Sequence, residues 1–445
     1  MHQSLPLSTI ETVRVLQEID PKAHSDDERR VLLAAAKALV GRLSSAWEQT
    51  WQATVTDPVK LAALRTLILL DPFESWSKNQ WKPSTSAQLA KQCRGATNAD
   101  SDLMGKCFDV CACPRLIDAD LLVARLLDVA CACHFLLRED DLYSPGPFDW
   151  APALVQDPTL KGAYMGFVDW TAPLFQNLPH FLQHSEFRNP KDGSAANYQH
   201  LYQCDGAGIY LGLASNPVLG QGVQDFMQAN TRYTLTRWTS ICPINSMINA
   251  FQGGQVFIVD VGGGNGQDLR QVAQQFPDLP QQSLILQDLP AVVDNVDLSG
   301  TNGVIAKQAY NYMELQSVKG ARYYYFKNII HNLPDELAIK VLRNQASAMS
   351  DDSRILIYER FKHPPGILES PEFVAYSSLA AQDVFMMGMF SSLERSQEQY
   401  EVILQSAELE VCKVHEPRID GSTKQARLSC DRIIEARCIR RNRES

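Results

Sequence analysis

The chain has 445 residues, 45% of them hydrophobic and 21% charged, a balance typical of a folded globular protein long enough for two domains. Its formal net charge of -10 argues against nucleic acid as a partner, because clustered basic residues bind a phosphate backbone. The first thirty residues turn charged early, and no apolar run reaches the ~18 residues of a membrane helix. We therefore expect a cytoplasmic protein without a membrane partner.

Two closely spaced cysteine pairs, Cys111/Cys113 and Cys131/Cys133, raise the question of a metal site, since His134 follows the second pair. Structural zinc ligands usually follow a C-x(2–4)-C spacing, whereas residues two apart on a helix point to different sides. We therefore predict small thiols in helices and no metal. A disulfide framework is not expected without a secretory signal.

The N-terminal half is predicted to be helical. The stretch 23–51 carries a helical apolar stripe behind a polar cluster, and the run 59–76 is apolar enough to be buried or to form a subunit contact. Ser84 or Thr85 is predicted to cap the next helix.

Short helices are then predicted over 102–118 and 119–137, followed by a polar turn, in a succession that resembles a winged helix. DNA binding by such a fold requires a basic recognition helix, and Lys91 and Arg94 are the only positive charges near it. Packing or dimerisation is therefore the favoured role. Residues 141–200 are rich in Pro, Gly and Asn, and we expect them to include a long loop.

The character of the sequence changes at Gly253-Gly254, which predicts a helical N-terminal domain over 1–252 and a second domain over 253–445. In the second domain, predicted strands at 255–261, 283–289, 321–327 and 353–361 are separated by helices at 266–277 and 335–349. This alternation predicts an α/β fold with a doubly wound parallel sheet. Segments 408–417 and 426–439 are predicted closing strands that include an antiparallel edge pair.

The most informative segment is 259–266, VDVGGGNG, which ends a predicted strand and opens a predicted helix. Glycines there permit a tight turn and let a ligand approach the backbone closely. Asp288 closes the next predicted strand, where a carboxylate can accept hydrogen bonds from both hydroxyls of a ribose. The spacing predicts a nucleoside site.

Three ligands could use such a turn. A dinucleotide fingerprint needs G-x-G-x-x-G and a phosphate-binding loop needs Gly-Lys-Ser/Thr, and the segment has neither. S-adenosylmethionine has no pyrophosphate, and its ammonium and sulfonium suit a carboxylate at Asp260. A turn without a ligand would lose stability to its glycines for no gain. S-adenosylmethionine is therefore the favoured cofactor.

Across residues 60–435, and most strongly 255–395, the sequence resembles the plant and fungal small-molecule O-methyltransferases of the caffeate and flavonoid type. Four ordered blocks carry the resemblance, namely VDVGGGNG with LILQDLPAVV, then YYYFKNIIHNLPDELAIKVLRN, RILIYE and LERSQEQY. The resemblance implies a Rossmann-like class I methyltransferase domain behind an all-helical, winged-helix-like domain. It also implies S-adenosylhomocysteine as a product, and a homodimer in which Leu61–Leu70 supplies an apolar contact.

The resemblance also implies roles for individual residues. His331 would be the general base that takes the proton of a substrate hydroxyl, flanked by Glu359 and Glu394. Such a hydroxyl, with a pKa of ~10, is mostly protonated at neutral pH, and histidine is a fitting base. The residues expected to hold the cofactor are Asp260, Gly262, Gly264, Gly266, Asp288, Leu289, Asn311, Tyr312 and Lys327.

The sequence departs from the family pattern at two places. Asn332-Leu333 replaces the usual Asp-Trp after the histidine, and Asn311 stands where an aspartate is common. Some fungal relatives keep S-adenosylmethionine yet catalyse pericyclic cyclisation without methyl transfer, a role in which Lys327 and His134 would polarise the substrate. This cyclase is the first alternative, and a non-catalytic or DNA-binding regulator is the second.

The substrate is expected to be a small phenol, enol or pyridone-like molecule in an apolar pocket. Methionine and phenylalanine form adaptable apolar cavities, although the same residues would also form a helical core stripe. The expected substrate-binding residues are His134, Trp238, Asn332, Phe385, Met386 and Met389, with Met387 and Phe390 beside them.

Overall fold

The structure is a computed structural model that describes residues 9–20, 23–93, 116–146, 149–204, 209, 213, 216–251, 253–362, 373–417 and 430–439. Chain contacts divide it into two compact units, a helical unit (43–188 and 197–235) and a sheet unit (1–42, 189–196 and 236–445). The longest stretch of the sheet unit begins at residue 236, whereas the predicted domain boundary was at residue 253. The predicted pair Cys111/Cys113 lies outside the described residues.

The described part of the helical unit consists of helices of 5 to 17 residues and one β-hairpin. Its helices are Ala46–Trp51, Asp57–Leu70, Phe73–Lys78, Ser86–Ala90, Leu116–Ala132, Trp150–Gln156, Pro158–Gly162, Val168–His184, Asn197–Tyr202 and Pro217–Tyr233, with π-helical turns at Gln52–Thr56 and Ala163–Phe167. Strands β1 (Leu136–Glu139) and β2 (Leu142–Pro145) pair antiparallel around the predicted polar turn. Among its described residues the helical unit has no strand outside this hairpin, and the long loop expected within 141–200 spans only 185–196.

Local sequence explains several of these elements. Thr85 caps the helix Ser86–Ala90 by accepting a hydrogen bond from the Gln88 N–H, and the Gln88 side-chain oxygen accepts one from the Thr85 N–H. The helix Asp57–Leu70 buries Leu64 and Leu67 in the core of its own unit, while Leu61 and Leu69 remain exposed. The apolar run thus serves mainly this core, and its role in a subunit contact stays a prediction.

The sheet unit begins with the helices Thr9–Gln17 and Asp26–Leu43 and contains a seven-stranded sheet. Its strands are β3 (Ile258–Val261), β4 (Leu284–Asp288), β5 (Ile305–Ala309), β6 (Tyr323–Lys327), β7 (Arg354–Arg360), β8 (Leu409–His415) and β9 (Asp431–Cys438). The flanking helices are Trp238–Ile241, Ile244–Asn249, Gln267–Gln275, Pro290–Val293, Asp335–Ala346, Phe373–Phe390 and Gln397–Ser406.

The strand order is β5-β4-β3-β6-β7-β9-β8. The first five strands in this order are parallel, and β9 is antiparallel to both of its neighbours, β7 and β8. This confirms the predicted doubly wound α/β sheet and its antiparallel edge pair. The order reverses between β3 and β6, and ligands of such sheets bind at the carboxyl ends of the strands at this reversal. Among the described residues, no helix has the length and apolarity to span a bilayer.

The core explains why the central strands could be predicted. Strands β3, β6 and β7 are buried on both faces, and Val259, Phe326 and Ile357 are fully buried in one cluster. Strand β5 was not predicted, because this edge strand (IAKQA) is only partly buried and carries Lys307 and Gln308.

Candidate active site

The glycine turn lies directly after β3. Gly262, Gly264 and Gly266 all have positive φ angles, 73°, 58° and 72°, and the helix Gln267–Gln275 begins after Gly266. A Cβ atom at Gly264 would meet no atom within 4 Å, so this residue borders open space. A Cβ atom at Gly263 would lie 2.5 Å from the Asp260 carboxylate. The turn therefore needs glycine both for its backbone angles and for its close packing.

Asp288 ends β4 and contacts the glycine turn. Its carboxylate accepts hydrogen bonds from the Gly264 N–H at 2.9 Å and from the Leu289 N–H at 2.7 Å. Burial raises the pKa of Asp288 in spite of these two donors. A carboxylate accepts about four hydrogen bonds, so it retains capacity for a ligand's hydroxyl groups.

Two predicted neighbours follow β5. Burial, followed by the charge of Asp288, raises the pKa of Tyr312 to about 12. Asn311 is exposed and accepts a hydrogen bond from the Met313 N–H at 3.0 Å, so it holds a local turn.

Lys327, at the end of β6, is paired within the protein. Its Nζ lies 3.0 Å from the buried Asp268, which also accepts a hydrogen bond from the Tyr325 hydroxyl at 2.9 Å. Asp260 is buried nearby, and burial followed by the charge of Asp268 raises the pKa of Asp260 well above its ordinary value. The carboxyl edge of the sheet thus carries three carboxylates, at 260, 268 and 288, and the ammonium of Lys327.

His331 lies in a short 3-10 turn, Ile330–Asn332, that follows β6. The imidazole is buried, and its Nδ1 lies 2.8 Å from Glu394 Oε1 and 3.6 Å from Glu359 Oε2. Within the described part of the chain, Nε2 has no hydrogen-bond partner. The structure therefore brings together the three residues that the resemblance implied as a catalytic set.

Charge determines the protonation of this set. Burial by itself lowers the pKa of His331, but the charges of Glu359 and Glu394 outweigh burial and raise that pKa from 6.5 to about 9. Burial also raises the pKa of Glu359 to about 7. The arrangement stabilises an imidazolium.

The predicted substrate residues lie in different places. Met386 and Met389 are buried in the helix Phe373–Phe390, whereas Phe385 is partly exposed. Trp238 is fully buried with its ring centroid 5.0 Å from that of Tyr325. A substrate-binding role for these residues stays a prediction.

The two remaining substrate candidates are polar. Asn332 donates a hydrogen bond to the Asn328 carbonyl at 3.0 Å. His134 is exposed and belongs to the helical unit, where it follows the helix Leu116–Ala132. Their roles in substrate binding also stay predictions.

Three residues of the site were not predicted from the sequence. Asp268 pairs with Lys327, while Ser392 and Arg395 bind the backbone of the His331 turn. Asp268 sits two residues after the glycine turn, and Arg395 directly follows Glu394. In the sequence, Asp268 and Arg395 could have been noticed as charged residues close to predicted site residues.

Comparison with known proteins relates the chain to O-methyltransferases. Residues 226–409 match the family profile described as an O-methyltransferase domain. The chain is 27% identical over 414 residues to O-methyltransferase mfmE of Annulohypoxylon moriforme, an alignment that covers 92% of each protein. It is also 26% identical over 415 residues to demethylsterigmatocystin 6-O-methyltransferase of Aspergillus flavus, covering 92% of this chain and 95% of that protein.

A solved structure has the same fold. An enzyme described as "A Pericyclic Reaction enzyme" superposes with a TM-score of 0.75 at 21% identity, covering 97% of this chain and 99% of that one. At this identity the similarity is evidence of fold alone. Residues 226–409 thus match an O-methyltransferase domain, and the proteins that align with 92% of this chain are O-methyltransferases.

Proposed function

We propose that the protein methylates a hydroxyl group of an aromatic or polyketide-derived small molecule, with His331 as the general base. One observation carries the proposal, namely the 2.8 Å contact between His331 Nδ1 and Glu394 at the same sheet edge as the glycine turn. A base needs one nitrogen held by an acceptor and the other available to the substrate.

The residues at the carboxyl ends of β3 and β4 fit S-adenosylmethionine. Asp288 has acceptor capacity for the ribose hydroxyls, and Gly264 borders open space where a ligand can approach the backbone. Cationic groups of a ligand would favour the charged form of Asp260 and so oppose the burial that raises its pKa. When bound, the cofactor supplies an electrophilic methyl group.

The chain's own residues would manage the proton. His331 Nε2 would accept the proton of the substrate hydroxyl, while Nδ1–H donates to Glu394 Oε1 and keeps the ring in one tautomer. Glu359, 3.6 Å from Nδ1, would add a second negative charge that stabilises the imidazolium. Holding the substrate oxygen in line would provide much of the remaining acceleration.

The charge of His331 leads to an alkaline rate profile. With a pKa of about 9, only about 1% of His331 is neutral at pH 7. The rate of methyl transfer should therefore rise about tenfold per pH unit up to pH 9. An acceptor that ionises without help would weaken this dependence.

The same observation supports a second candidate, a pericyclase that binds S-adenosylmethionine without transferring methyl. An imidazolium is a hydrogen-bond donor that can polarise a substrate carbonyl at neutral pH, and no proton has to be removed in such a reaction. The solved pericyclic enzyme has the same fold, and Asn332-Leu333 departs from the Asp-Trp of the methyltransferase pattern.

One experiment separates the two candidates. The protein is incubated with methyl-labelled S-adenosylmethionine and a panel of phenols and pyridones, and both the label and the carbon skeleton of each product are followed. Methyl transfer moves the label and is lost in His331→Asn. A rearranged skeleton without label movement would establish the pericyclase instead.

The chain offers a matched control for the histidine. His415 is also buried and lies 2.8 Å from a glutamate, Glu435, but this pair belongs to the edge strands β8 and β9. His415→Asn should retain label transfer. Equal loss in both variants would attribute the effect to folding rather than to His331.

A further inference from the structure

The turn that carries His331 is held mainly by side chains. Its 3-10 helix spans three residues, too few to satisfy its own backbone groups. Glu359 Oε1 accepts hydrogen bonds from the N–H groups of Ile329, Ile330 and His331 at 3.1, 2.9 and 3.2 Å. One carboxylate oxygen thus fixes the amino side of the turn.

The carbonyl side is held by the segment 392–395. Arg395 Nη1 donates to the Ile330 carbonyl at 3.0 Å, and Nη2 donates to the Leu333 carbonyl at 2.7 Å. The Ser392 hydroxyl donates to the His331 carbonyl at 2.6 Å. Arg395 therefore spans the turn, because it binds a carbonyl on each side of His331.

Arg395 is an unusual residue in its burial. Its side chain is 0% exposed, and a buried guanidinium is costly unless it is paired and hydrogen-bonded. Its Nη2 and Nε lie 2.6 and 3.1 Å from the exposed carboxylate of Asp335, and its Cζ lies 5.9 Å from the Tyr400 ring centroid. The burial of Arg395 and the number of its partners indicate a role inside the protein rather than on its surface.

We infer that Arg395 is a positioning residue for His331, which holds the imidazole against Glu394 by bridging the carbonyls on both sides of the turn. The inference rests on the proposed function, because only a base or a polarising group requires such a fixed ring. A planar guanidinium is suited to the task, since its donors lie in a rigid fork that binds two acceptors at once. An ammonium on a flexible stem cannot hold both carbonyls in this geometry.

Arg395 also contributes charge to the site. The groups that face His331 are the carboxylates of Glu359 and Glu394 and the guanidinium of Arg395, and the guanidinium opposes the effect of the two carboxylates on the pKa of His331. Tyr400 lies behind them and is fully buried. Removing Arg395 should thus change both the conformation and the titration of His331, and replacing it with lysine should change mainly the conformation.

The test compares Arg395→Lys and Arg395→Met in the full chain by NMR of 15N-labelled histidines. We expect Arg395→Met to raise the pH midpoint of His331 by about one unit, because a cation is removed. Arg395→Lys should keep the midpoint but broaden or split the His331 resonance, because the ring is no longer held in one position.

Arg65 provides a matched control. Its Nη2 and Nε lie 2.6 and 3.1 Å from Asp169, the same two distances that join Arg395 to Asp335, but the pair belongs to the helical unit. Arg65→Lys should leave the His331 resonance as in the wild type. If Arg395→Met does not fold, Asp335→Ala removes the acceptor that pairs with Arg395 on its exposed side and should broaden the resonance to a smaller extent.

S-adenosylhomocysteine binding, measured by calorimetry, separates this inference from the proposed function. All variants should bind it within about threefold of the wild type, since the glycine turn is unchanged. Absence of binding by the wild type would overturn the proposed function. Normal binding, together with an unaltered His331 resonance and midpoint in both Arg395 variants, would overturn the positioning role.

Discussion

The substitution Glu394→Gln tests how the site sets the charge of His331. The variant keeps an oxygen that can accept from Nδ1–H but removes a negative charge 2.8 Å from that nitrogen. A hydrogen bond to a charged group contributes about 1.5–3 kcal/mol, which corresponds to about 1–2 pH units. The loss of negative charge favours the neutral ring, so the pKa of His331 should fall from about 9 to about 7–8.

The assay follows the ring resonances of the nine histidines by NMR between pH 5.5 and 10.5, with His331→Asn for assignment. The rate of methyl transfer on any acceptor from the panel should show the same shift of its midpoint, with a lower plateau because the base is weaker. Glu435→Gln, which alters the other buried pair, should leave the His331 midpoint in place. A midpoint for His331 that stays near pH 9 in Glu394→Gln would refute the reasoning.

Three further predictions concern stability and the cofactor. Glu359 has a raised pKa in the folded state, so the stability it contributes is present below pH 4.5 and lost as the pH rises through about 7. The free energy of unfolding of the wild type, measured by urea titration relative to that of Glu359→Gln, should therefore fall between these two pH values. A difference that stays constant would contradict this prediction. Asp268→Asn removes a negative charge from the sheet edge. Calorimetry should show that the variant loses about 5–10-fold more affinity for cationic S-adenosylmethionine than for S-adenosylhomocysteine. Equal losses of affinity for the two ligands would indicate a purely structural role for Asp268. Gly264→Ala should destabilise the fold by about 1–2 kcal/mol and abolish S-adenosylhomocysteine binding. Gly300 also has a positive φ angle and borders open space, so Gly300→Ala should destabilise the fold by a similar amount but keep binding. Equal binding by both variants would argue against a site at the turn.

Much of the sheet unit could be predicted because burial on both faces leaves a clear pattern. The segments that form β3, β4, β6 and β7 are mostly apolar. The glycines after β3 allow the positive φ angles of a tight turn from a strand into a helix. The sequence of the hairpin β1–β2 predicts only a polar turn, because its strands have four residues each and β1 carries the exposed charges Arg138 and Glu139.

The candidate site was predicted unevenly for a similar reason. Glu359 was conspicuous as a carboxylate within an apolar strand, and His331 was found through the resemblance of its surroundings. Arg395 was missed, because an arginine in a polar stretch is usually solvent-exposed, and its burial depends on carbonyl groups 65 and 62 residues away in the chain. Asp268, in the helix after the glycine turn, was missed because its partner, Lys327, lies at the end of β6, 59 residues later in the chain.

The most direct test of the central claim is a calorimetric titration of S-adenosylhomocysteine into the wild type, Asp288→Ala and Asp297→Ala. The Asp288 carboxylate holds the glycine turn through the Gly264 N–H, whereas the Asp297 carboxylate accepts hydrogen bonds from Ser299 in its own loop. Arg270 binds the backbone carbonyl of Asp297, which Asp297→Ala retains. We expect the wild type and Asp297→Ala to bind one ligand alike, and Asp288→Ala to bind at least ~10-fold more weakly through its lost charged hydrogen bonds. A wild type that does not bind the ligand, or an Asp288→Ala variant that binds it equally well, would contradict the account.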